Sequence, residues 1–203
     1  MRTNLVPRPY LVQKLNDGPG SKLILISAPA GYGKTTLVTE WIDHIQTNAT
    51  TSRSEGEGRA ICWLSLDEDD SQPQQFFRYL AEAIRPLFNA QSSLTQRLQS
   101  PQPLPAKNLM AAFVNDVTPV SSSFYLILDD YHAIESADID KSMAFLLDRM
   151  PPQMTLVITS RSDPGFPISR LRARGGLLEL RANDLRFTET EAAQFLKQCM
   201  NLT

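Results

Sequence analysis

Lys22–Trp41, KLILISAPAGYGKTTLVTEW, constrains this chain more than any other stretch. The apolar run Leu23–Ile26 leads into a loop of small residues, then Gly33-Lys34-Thr35-Thr36 and a helix-competent segment. Strand, glycine loop and helix start in that order form a cradle for a nucleotide's phosphate tail. Gly31 and Gly33 let the backbone wrap the phosphates with its N–H groups inward. A helix starting near Lys34 aims its positive end at the β-phosphate. Ala30, Gly31, Tyr32, Gly33, Lys34, Thr35 and Thr36 are therefore the expected nucleotide contacts, with Lys34 on the β- and γ-phosphates and Thr35 ligating Mg²⁺. The full pattern has Gly where this chain has Ala28, so the opening turn must accept a Cβ. A surface loop that merely contains Gly-Lys-Thr is the bland alternative, and the flanking strand and helix patterns argue against it.

The chain has 203 residues, 42% hydrophobic and 21% charged, enough for one sizeable core. A net charge of -2 gives no global pull toward nucleic acid. No apolar run reaches membrane-span length, and MRTNLVPRPY lacks the apolar core of a signal peptide. Cys62 and Cys199 are far apart, which favours a buried free thiol at Cys62 and a reducing, cytoplasmic home. The two His and two Cys show no metal-ligand spacing.

Strand-like and helix-like patterns alternate, as in a parallel sheet wrapped by helices. Strands are expected at Leu23–Ala28, Ala60–Leu66, Phe124–Leu128, Met154–Thr159 and Leu177–Leu180. Helices are expected from Lys34 to about Gln46, from Pro73 until Pro86 ends it, over Lys107–Val117 and over Ala137–Arg149. Thr47–Arg59, polar and without periodicity, reads as a surface loop. Thr188-Glu189-Thr190-Glu191 is a capping box that starts a last helix running to about Met200.

A phosphate loop needs a partner carboxylate at the end of a neighbouring strand. Phe124–Asp130 (FYLILDD) supplies one, with Asp129 as the Mg²⁺ residue and Asp130 as general base or orienter of the attacking water. Arg161, after the strand ending at Thr159, is a candidate for the γ-phosphate. His132 fits a structural place in the turn. Trp63 and Phe76 read as core rather than adenine platform, and Asp67–Asp70 as a solvated turn.

LVPRPYLVQKL at Leu5–Leu15, SAPAGYGKTTLVTEW, WLSLDEDD at Trp63–Asp70, YLILDDYH at Tyr125–His132, LVITSR at Leu156–Arg161 and LRARGGLLELRANDLRFTETEAAQFL at Leu171–Leu196 follow one another in order. Together they resemble the nucleotide-binding domain of MalT-like, LuxR-type large ATP-binding transcriptional regulators, of the STAND class (NACHT/NB-ARC-like) of P-loop NTPases. The resemblance implies a three-layer α/β sandwich with parallel strand order 5-1-4-3-2, occupying residues 1–182, and the start of a helical arm at 183–203. It implies ATP/ADP and Mg²⁺ as cofactors and Arg8 as a base or ribose contact. It also supports Arg161 as a sensor of the γ-phosphate. In the full-length context it implies self-oligomers and an inducer, with at most slow ATP hydrolysis resetting a switch. Such proteins continue into winged-helix, sensor and helix-turn-helix domains, so the chain is expected to be a fragment that does not bind DNA alone or meet a membrane. Two rivals remain: a free-standing ATPase or phosphotransferase, with Arg170, Arg172 and Arg174 as a lid, and a non-catalytic interaction module with a structural nucleotide.

Overall fold

The computed structural model describes residues 6–18, 20–51, 59–88 and 92–200, with side chains of 48–51 and 198–200 excepted. Pro9 fixes the first turn of α1 (Pro9–Asn16), which buries Leu11, Val12 and Leu15. Then come β1 (Leu23–Ser27), α2 (Lys34–Thr51), β2 (Ala60–Ser65), α3 (Pro73–Ile84), α4 (Ser93–Leu98) and α5 (Ala106–Val117). They are followed by β3 (Phe124–Asp129), α6 (Ala137–Arg149), β4 (Met154–Ser160), α7 (Ser169–Ala173), β5 (Leu177–Arg181), α8 (Ala182–Leu185) and α9 (Glu189–Met200).

The strands form one parallel sheet in the order β2-β3-β4-β1-β5, which is the expected 5-1-4-3-2 read from the other edge. Leu23 pairs with Leu156 on one side and Leu177 on the other, so β1 is an interior strand and β4, the central one, separates it from β3. Burial on both faces explains the continuous apolar runs. Leu126, Leu128, Leu156 and Ile158 face Phe76, Phe113 and Leu146 of α3, α5 and α6. Ile127, Val157 and Ile26 face Leu37 and Trp41 of α2 and Leu15 of α1. This places the carboxyl ends of β1, β3 and β4 along one edge, where open α/β sheets hold ligands.

Several expectations need correction. The helix α2 runs to Thr51 rather than stopping near Gln46. No Gly or Pro interrupts 47–51, and the Thr47 hydroxyl donates back to Asp43 O at 2.7 Å, so weak formers extend the helix. The rest of the expected loop, 52–58, lies outside the described residues. The short α4 escaped notice because its strongest cap is distant. Asp116 of α5 accepts from Ser93 N and Leu94 N at 2.9 and 2.8 Å. Asp67, Glu68 and Asp69 are exposed as expected of a solvated turn, but Asp70 is 2% exposed and accepts from Asp67 N within a 3-10 turn. Trp63 is half-buried with its indole N–H on Ser65, whereas Phe76 is core as expected. The Thr188 capping box forms, with Thr188 N donating to Glu191 and Glu191 N to the Thr188 hydroxyl.

Burial holds the Cys62 thiol up from its ordinary 9.0 to about 11. The buried neutral thiol contributes its full stability below pH 9.0, and that contribution is lost as pH rises toward about 11. Cys62 should therefore resist a thiol reagent at pH 8 in the native chain and react in denaturant. Equal labelling rates in both would contradict this.

Candidate functional site

The phosphate loop takes its shape from two glycines. Gly31 and Gly33 have φ of 84° and 72°, and a Cβ on either would meet nothing within 4 Å. The requirement there is conformational, and the open space beside each is the concave side of the loop. Ala28 needs no such freedom, because positive φ among non-glycine residues is confined to Asp130 in the described chain. Its N–H donates to Ser160 O at 3.2 Å, continuing the β1–β4 ladder one residue past the strand.

Lys34, 6% exposed, lies across this loop and donates to Ala28 O at 3.0 Å and Pro29 O at 3.3 Å. Burial is the main cause lowering its pKa and Arg161 adds to it, while Asp130 and Asp129 oppose the shift. Thr35 donates to Asp129 Oδ1 at 3.0 Å, joining the start of α2 to the end of β3. Thr159, fully buried at the end of β4, donates to the same Oδ1 at 2.5 Å and accepts from Asp130 N at 2.9 Å. The start of α2 and the end of β4 thus converge on one β3 carboxylate that is 4% exposed.

From the sequence, Thr159 is expected only as the end of the strand that leads to Arg161. A hydroxyl at the last inward position of an apolar strand was the available signal.

Asp130 stands in the left-handed region at φ 59°, which turns its carboxylate toward His132 Nδ1 at 3.7 Å. That nitrogen is buried without a hydrogen bond. Burial chiefly lowers the His132 pKa, with Arg161 next, so the ring is held neutral beside the site. Arg161, Asp130 and His132 line an open cavity of about 640 Å³ together with Asp67 and Glu135. The expected neighbourhood of Arg161 and Asp130 is therefore present, with Arg161 itself exposed.

Ala30 and Tyr32 complete the loop, and Tyr32, Gly33 and Thr36 line a second cavity of about 570 Å³. Its far wall comes from Val6, Leu185, Phe187 and Phe195. Arg8 reaches this cavity, but its guanidinium is engaged. It donates to Leu185 O at 2.9 Å, Arg186 O at 3.0 Å and Glu191 Oε1 at 3.3 Å, and lies 5.2 Å from the Phe187 ring centroid. Arg8 N also donates to Glu40 at 2.9 Å. Arg8 thus fastens the segment before the phosphate loop to the α8–α9 segment, a pairing no local pattern discloses. The aromatics Phe187, just before α9, and Phe195 on it, 5.6 Å apart, are equally illegible because nothing in the sequence says this segment folds back to the loop. Arg170 and Arg174 line a cavity at the opposite sheet edge with Lys22, and Arg172 is paired with Glu179 at 2.7 Å, so none of these three lines the cavities beside the phosphate loop.

Among the described residues no helix is long and apolar enough to cross a membrane, and no group of His, Cys, Asp or Glu makes a protein-only metal cage. Solved structures share the fold. Aeropyrum pernix ORC1, determined in complex with DNA, superposes with a TM-score of 0.62 at 13% identity over 98% of this chain and 52% of its own. Pyrobaculum aerophilum Cdc6p gives 0.54 at 17%, covering 87% and 47%. Aeropyrum pernix ORC2 in its ADP form gives 0.53 at 15%, covering 99% and 53%. The chain spans about half the length of these structures, and identities this low speak for fold alone. The Nephrocystin 3, N-terminal family matches residues 6–161, from the segment ahead of the phosphate loop to Arg161. That span contains the glycine cradle, the Asp129 hub and every residue predicted for the site, and the chain belongs to this Nephrocystin 3, N-terminal family.

Proposed function

We propose that this chain is an ATP/ADP–Mg²⁺-binding switch module with slow or no turnover. The observation that carries the reading is the meeting of Thr35 and Thr159 on Asp129 Oδ1 beside a cradle shaped by Gly31 and Gly33. Both hydroxyls approach Oδ1, leaving Asp129 Oδ2 as the oxygen for a cation, with the Thr35 hydroxyl as its neighbour ligand. The backbone N–H groups of 31–36 receive the β-phosphate, and Lys34 swings from the Ala28 and Pro29 carbonyls onto the β- and γ-phosphates. Arg161 is the γ-phosphate sensor, and Asp130 orients the attacking water. Mg²⁺, when bound, supplies charge neutralisation across the phosphates.

The base lies in the cavity walled by Val6, Phe187 and Phe195, with Arg8 holding that wall in place rather than contacting the base first. In this reading residues 1–182 are the P-loop domain and 183–203 begin an arm that closes over the nucleotide. The regulatory setting, a signal-responsive transcription regulator of the LuxR/MalT type with an inducer and self-oligomers, rests on the order of motifs along the chain. Structures of Aeropyrum pernix ORC2 in its ADP form and in ADPNP-ADP complexes give the same fold a nucleotide role elsewhere.

Titration of ATP with and without Mg²⁺, on the native chain and on Asp129→Asn, tests this. The substitution should reduce Mg²⁺ affinity about 10–100-fold, with the smaller change in Mg²⁺-free binding. An equal effect in both conditions would reject the metal role. Phe187→Ala should weaken ATP about tenfold, in line with about 1–3 kcal/mol for base–aromatic stacking, and leave inorganic tripolyphosphate unchanged. Unchanged ATP affinity would move the base elsewhere.

A further inference from the structure

A cavity of about 590 Å³ opens at the amino-terminal edge of the sheet, on the side remote from the phosphate loop. Lys22 immediately before β1, Arg174 just before β5 and Arg170 on α7 surround it, and Asp148 at the end of α6 is the carboxylate on its lining. Arg170 approaches Asp148 only to 3.9 Å. Among the described residues neither Lys22 nor Arg174 has an ion pair, so Asp148 is the one carboxylate shared by the three cations of this lining. In a chain whose net charge is -2, this is a local excess of cations around a concavity. The floor is apolar, made by Ala144, Leu147 and Leu171. Gly20 and Gly175 line it at φ 111° and 68°, and a Cβ on either would meet nothing within 4 Å.

We infer that this groove is a second ligand site, for a small phosphate monoester with an apolar body. Three cations against one carboxylate match a dianion, and a phosphate monoester carries about -1.5 to -2 at neutral pH. A monocarboxylate leaves one cation unmatched. Two planar guanidinium forks can each take a pair of phosphate oxygens, and the Leu147–Leu171 floor receives the organic part. The site shares no lining residue with the nucleotide cavity and needs no nucleotide.

Phenyl phosphate and inorganic phosphate serve as probes in an amide NMR titration of the full chain, which reports on Gly20, Gly175 and Gly176 separately from Gly31 and Gly33. Phenyl phosphate should shift the first group saturably and bind about tenfold more tightly than inorganic phosphate. Lys22→Glu combined with Arg174→Glu, both exposed positions, should weaken phenyl phosphate at least about tenfold without shifting the thermal midpoint. Shifts confined to Gly31 and Gly33, or unchanged binding in the double variant, would overturn the site. Equal affinity for the two probes would overturn the organic class of ligand.

Discussion

Lys34→Ala lowers ATP affinity about a hundredfold, from about 1.5–3 kcal/mol for each charge-assisted hydrogen bond lost and 1.4 kcal/mol per factor of ten. The ammonium already sits inside the loop, 6% exposed and donating to two loop carbonyls, so little reorganisation precedes its move onto phosphate. The backbone N–H groups remain, which is why binding is crippled rather than abolished. Stability changes little by comparison. Ala28 O and Pro29 O each lose a partner, costing about 1–2 kcal/mol together, or about 2–8 °C in a domain of this size. Isothermal titration with ATP–Mg²⁺ beside a thermal melt reads both quantities. Affinity within about threefold of the native chain would remove Lys34 from the site; a collapse of the melt would make it a structural residue instead.

The largest effect on stability is expected at Trp41, about two turns beyond the start of α2 at Lys34. Its ring is 0% exposed, meets Tyr125 edge-on with centroids 4.9 Å apart, and its indole N–H donates to Asn16 Oδ1 at 2.9 Å. One side chain therefore ties α2 to both the sheet and the last turn of α1. Trp41→Ala should cost about 3–5 kcal/mol, a large part of the ~5–15 kcal/mol typical of a domain, and lower the melting midpoint by roughly 10 °C. Trp41→Phe keeps most of the buried area and loses the bond to Asn16, so it should cost about 1–3 kcal/mol. A loss below about 1 kcal/mol for Trp41→Ala in urea unfolding would mean that α2 is not anchored through this ring.

What could be read from the chain follows from how local each determinant is. The β1–loop–α2 unit was legible because strand, glycines and helix start lie within Leu23–Trp41, and β3 was legible because Asp129 ends an uninterrupted apolar run. The order of strands came through resemblance, since nothing in Phe124–Asp129 says that β4 lies between it and β1. Asp116 capping α4 from 22 and 23 positions away could not be seen, nor could Arg8 binding carbonyls 177 and 178 positions distant. Thr159 is the intermediate case: its place at a strand end was visible, but its bond to Asp129 depends on β3 and β4 being adjacent.

The Arg8 guanidinium also determines how the far wall of the cavity beside Tyr32 and Gly33 can leave. All three of its hydrogen bonds to Leu185, Arg186 and Glu191 spring from one rigid, planar group. Such a group cannot surrender its partners one at a time without stranding a charged donor in a place that is 8% exposed to water. The joint between the amino-terminal strap and the last helix therefore opens as an all-or-none step. It turns a graded pull on α9 into a threshold.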